Sequence, residues 1–192
     1  MRAGVVLLAV VALLVLILLL VLGWAVVTYN RLVRLRTQVS ASWAQVDVQL
    51  KRRHSLIPNL VETVKGYAAH ERGTLEAVTA ARVAALGSAG HGPGQQAGAE
   101  NALTQALGRL FAVAEAYPQL RANENFLALQ SELAGTEDKI AYARQFYNSA
   151  VQSLNATIQT VPTNVIAGIG GFKQETYFEA VGDERADVSV RF

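Results

Sequence analysis

Cysteine is absent from the chain, which excludes disulfides, thiolate catalysis, Cys-ligated zinc and a lipoprotein anchor while leaving the compartment open. Histidine is scarce, at positions 54, 70 and 91 only, and each reads as a polar residue of a helix surface or loop rather than a ligand or base. His70-Glu71 opens like a zinc-protease helix motif, but the second histidine that motif needs is replaced by Thr74, so that site is excluded. Ser55 and Ser149 lack a nucleophile context. Gly168, Gly170 and Gly171 follow a helix and a proline rather than a strand, so they read as hinge residues and not as a phosphate cradle. Basic and aromatic residues do not interleave on one face, which argues against nucleic-acid binding. The expectation is a chain that is not an enzyme and holds no metal or cofactor. A net charge of +2 points to no partner.

Charge is also missing from Ala3 to Val27, and this absence carries positive information. A helix needs roughly 20 apolar residues to cross about 30 Å of hydrocarbon, where every backbone group must be paired internally. The run meets that length. A cleaved signal is the rival, since Gly23-Trp24-Ala25 supplies small residues at two suitable positions, but signal peptides carry only about 7 to 15 apolar residues. Trp24 and Tyr29 fall at the headgroup boundary, and Arg31, Arg34 and Arg36 follow on the polar side; these five are the expected membrane-interface residues. Arg2 on one side is outweighed by these arginines and by Lys51, Arg52 and Arg53 on the other. The positive-inside rule therefore places the chain after Asn30 in the cytoplasm.

About 160 residues remain after the anchor, enough for one domain. Apolar residues at Leu32, Leu35, Val39, Trp43, Val46, Leu50, Ile57, Leu60, Val64 and Tyr67, then Leu75, Val78, Val83 and Leu86, trace a helical stripe. The first helix is expected to leave the membrane unbroken, because neither Gly nor Pro occurs from Trp24 to Ile57. Pro58 conflicts with the stripe, since it removes a hydrogen bond to the carbonyl of His54; a break near 54–58 is the favoured expectation, with a kinked continuous helix as the alternative that the preserved register leaves open. Residues 87–98, GSAGHGPGQQAG, read as a flexible loop whose deletion from Ser88 to Gln96 should be tolerated. A third helix from about Glu100 to Ala116 ends at Tyr117-Pro118, and a last one starts near Asn123 and ends before Pro162. On that last helix Tyr142, Phe146 and Tyr147, with Phe126, form an aromatic side best explained as core. The charges Glu62, Lys65, Glu137, Asp138, Lys139 and Arg144 read as a solvated face.

The predicted fold is all-α: a single N-terminal transmembrane helix at 1–29, an antiparallel up-and-down helical bundle of four segments at 30–161, and an extended C-terminal arm at 162–192. Glu175, Glu179, Asp183, Glu184 and Asp187 make that arm acidic. Its rings, Phe172, Tyr177 and Phe178, are too large to leave in water. They should dock on their own bundle or on a neighbouring subunit, so Phe172, Tyr177, Phe178 and Glu179 are the candidate partner or assembly contacts.

Three blocks resemble the LemA family of bacterial membrane proteins: YNRLVRLRTQVSASWAQVDVQLKRRHSLIPNLVETVKGYAAHE at 29–71, YPQLRANENFLALQSELAGTEDKIAYARQFYNSAVQSLNATI at 117–158, and the GF and YFE elements at 171–179. The resemblance implies a single-pass helix, a cytoplasmic antiparallel bundle and no enzymatic activity. With the absences above, it leads to the expectation of a scaffold or adaptor that forms homo-oligomers or docks a membrane protein partner. The alternative is an envelope-stress-linked effector that binds anionic headgroups of the lipid bilayer through Arg31, Arg34, Arg36, Arg52 and Arg53.

Overall fold

The computed structural model describes residues 2–179; the expected acidic residues Asp183, Glu184 and Asp187 lie outside them. Among the described residues there are six helices and no strand. These are α1 (Arg2–Lys65), α2 (Arg72–Gly87), α3 (Pro93–Glu115), α4 (Pro118–Arg121), α5 (Glu124–Gln159) and α6 (Thr163–Ile169). Two compact units share α1 and α5. One holds Met1–Ala41 with Ala150–Glu175, and the other holds Ser42–Ser149 with the described arm from Thr176.

In the first unit, α1 is the one helix among the described residues that is long and apolar enough to cross a membrane. From Val6 to Leu22 its large apolar side chains are 48% to 70% exposed, as a lipid-facing surface requires. Further along, Leu32 and Val39 are buried, as are Val151 and Leu154 of α5 and Ala167 of α6. The arm does not begin extended at 162, because Thr163–Ile169 is a helix closed by a Schellman motif. Phe172 N–H donates to Ala167 O at 3.0 Å and Gly171 N–H to Gly168 O at 3.2 Å, with Gly171 at φ +68°. These glycines stop a helix rather than act as a hinge.

In the second unit, the expected break at Pro58 does not occur, and α1 continues to Lys65. The reason is a hydrogen bond from outside the helix. Proline cannot donate to the carbonyl of His54, and Arg82 of α2 does so instead, Nε to O at 2.8 Å. Arg82→Met should therefore orphan a carbonyl in a half-buried site, at about 1–3 kcal/mol by chemical denaturation. In a Pro58→Ala background the helix supplies its own N–H, and the cost of losing Arg82 should shrink to a fraction of that. Equal costs in the two backgrounds would refute the pairing.

Every helix of this unit feeds one core: Ile57, Leu60 and Val64 from α1, Leu75 and Val78 from α2, Leu103, Leu107 and Leu110 from α3, Leu120 from α4, Phe126 and Leu133 from α5. Asn123 caps α5, its Oδ1 accepting Phe126 N–H at 2.9 Å. The loop at 87–98 is shorter than expected. Pro93 starts α3 at a position where a missing N–H costs nothing, and Gln96 and Ala97 are already buried. Deletion of Ser88 to Gln96 would thus remove the first turn of α3, not spare chain.

Candidate functional site

Three features of the second unit bear on function. The first is a buried charge cluster joining α1, α3 and α5. Arg53 exposes 2% of its surface, His54 5% and Glu100 4%, so each needs a partner. Arg53 Nη1 lies 3.4 Å from Glu100 Oε2, its Nε 2.9 Å from Glu137 Oε1, and its Nη2 donates to Thr104 Oγ1 at 2.7 Å. His54 Nε2 is 2.8 Å from Glu100 Oε1. Loss of solvent pushes the Glu137 carboxyl above its usual range; Arg53 opposes that push, while Glu100 and Asp138 add to it. Arg53 is therefore no part of a lipid-facing surface, and Arg52 pairs with Glu132 at 2.9 Å. His54 is not a surface histidine, and Glu137 is not merely solvated. Among the described residues no group of His, Asp and Glu could hold a metal ion.

The second feature is the docked arm. Asn148 of α5 holds the backbone of one arm residue at both its polar groups: its Nδ2 donates to Phe178 O at 3.1 Å and its Oδ1 accepts Phe178 N–H at 2.9 Å. Tyr147 OH donates to Thr176 O at 2.8 Å. The Phe178 ring is buried and lies 5.4 Å edge-on from Trp43, which in turn stands 5.1 Å from Tyr147. In the first unit Asn155 holds Glu175 in the same way, with both bonds at 2.9 Å. A primary amide can present an N–H and a C=O side by side in one plane, the pattern a neighbouring strand would present. Of the four expected contacts, Phe178 is buried on its own chain, Phe172 packs on Tyr29 at 5.5 Å, Tyr177 is half-buried and Glu179 is exposed.

The third feature is an open groove of about 870 Å³ between α1 and α5, lined by Ala44, Gln45, Val48 and Gln49 and by Lys139, Tyr142, Ala143, Gln145, Phe146 and Ser149. Tyr142 and Phe146 are not core: they expose 74% and 52%, and Val48 59%. At the groove, Gln49 Oε1 is buried and accepts no hydrogen bond among the described residues. The membrane-interface set lies in the first unit, with Trp24, Tyr29, Arg31, Arg34 and Arg36 all exposed; Arg34 Nε donates to Asn30 O.

A helical domain behind a candidate membrane helix, with its C-terminal arm clamped to its own long helices, is the class of protein these features define. Residues 42–192 match the LemA family, and the chain belongs to it. It is 31% identical over 175 residues to Magnetosome protein MamQ 2 of Paramagnetospirillum magneticum, covering 79% of this chain and 64% of that one. It is 26% identical over 161 residues to Protein LemA of Metamycoplasma hominis, covering 84% and 73%. The chain thus spans a little under two thirds of the magnetosome relatives' length.

Proposed function

We propose that this protein is a non-enzymatic scaffold, tethered by α1 to the cytoplasmic membrane of a bacterium with its domain in the cytoplasm, and that it self-associates through the α1–α5 groove. The observation that carries the reading is the pair of exposed rings, Tyr142 and Phe146, set over an apolar floor. Large exposed apolar patches on helices are where helical partners dock. A second copy fits this face because tethering confines copies to one plane and raises their effective concentration.

Tyr142→Glu with Phe146→Glu, made in the full chain in nanodiscs or mild detergent, should leave helix content and melting temperature unchanged while reducing the assembled species to a monomer by light scattering. Unchanged assembly in the variant, or a monomeric wild type, overturns self-association through this face.

A second reading rests on Arg31, Arg34 and Arg36, all exposed just past Tyr29. Basic residues beside anionic headgroups contribute about 1 kcal/mol each. Replacing all three by Gln should reduce the anionic lipid that co-purifies with the chain. An unchanged lipid ratio removes this reading.

A further inference from the structure

We infer that α6 and its flanks form a second membrane contact, a shallow wedge that enters the headgroup and upper acyl region of the bilayer beside α1. This rests on α1 being a membrane anchor. From Thr160 to Phe172 the chain has no ionisable side chain, so burying it in lipid leaves no charge to desolvate. Val161, Val165 and Ile169 repeat every four residues and are exposed by 75%, 57% and 82%. The last two lie on one face of α6.

Val165 falls within the 48% to 70% range of the side chains from Val6 to Leu22, and Val161 and Ile169 exceed it. Among the described residues, no other part of the chain covers this face. Its position is fixed by contacts within the same unit. Phe172 stacks edge-on against Tyr29, ring centres 5.5 Å apart, and the Schellman bonds of Phe172 and Gly171 tie that ring to the end of α6. Tyr29 comes two residues after the charge-free run, where an amphipathic ring sits at the headgroups. The C-terminal turn of α6, with Ile169, is therefore held at the membrane boundary. An apolar, uncharged turn at that depth has lipid as its natural neighbour.

Because the chain has no cysteine, single labels can be placed without background. Ile169→Cys and Leu14→Cys, each carrying an environment-sensitive fluorophore, would be examined in the full chain in vesicles containing lipids spin-labelled near the headgroup or deep in the tail. The Ile169 probe should be quenched about twofold more by the shallow than by the deep spin label, and reached by aqueous iodide about twofold less than the free dye. The Leu14 probe should prefer the deep label. If Leu14 is quenched and Ile169 is not, the wedge is wrong and the anchor stands. A shielded Ile169 probe that no spin label reaches means protein covers it, which also overturns the wedge. An unquenched Leu14 probe overturns the anchor and the wedge together.

Discussion

Replacing Glu100 with alanine is expected to be among the most damaging single changes in the domain. It strips Arg53 and His54 of the carboxylate that lies between them, leaving a guanidinium 2% exposed with Glu137 as its one remaining acidic partner among the described residues. Removing one member of a buried ion pair costs about 3–5 kcal/mol, because the other charge stays behind without compensation. A domain of ordinary stability has about 5–15 kcal/mol in all. The measurement is denaturant unfolding followed by circular dichroism, and a loss below about 1 kcal/mol would mean that water reaches the cluster. The same network has a pH signature. The folded chain holds the Glu137 proton more tightly than the unfolded chain does. Its contribution therefore declines as pH rises from the ordinary carboxylate range through its raised value, and is level above that.

Leu60→Asp should unfold the second unit outright. Leu60 exposes 1% and sits in the core with Ile57 and Val64, where a carboxylate would find neither water nor a partner; the cost is several kcal/mol. Thermal melts should show the loss of the cooperative transition. A variant that melts within a few degrees of the parent would show that this end of α1 is not the core. The periodicity of α5 assigns the same penalty to Phe146→Asp, and the structure assigns it almost none, because Phe146 is half exposed.

That contrast marks the boundary of what the sequence makes legible. The charge-free run, the stripe from Leu32 to Val64 and the start of the last helix near Asn123 follow from spacing and local chemistry, and the structure contains all three. A period of 3.6 also puts Tyr142 and Phe146 near the aromatic side, but it does not reveal whether a neighbouring helix covers them. Pro58 misleads because its remedy, Arg82, lies 24 residues away and acts on a backbone carbonyl. Arg53, His54 and Glu100 look like ordinary surface residues, since nothing in their local pattern announces that three helices will enclose them. A signal did exist for the arm. Asn148 and Asn155 stand seven apart on one helical face, an unusual choice for α5 unless their amides have work there.

Those two amides read peptide groups and ignore side chains. The identities of Glu175 and Phe178 are thus irrelevant to the hydrogen bonds that hold them, and divergence at 175 can proceed while the docking persists. Only proline is barred from both positions, for want of an N–H, while the choice of ring at 178 is governed by Trp43. A segment recognised in this manner keeps its place while its surface composition drifts, so relatives can present different chemistry along the same track.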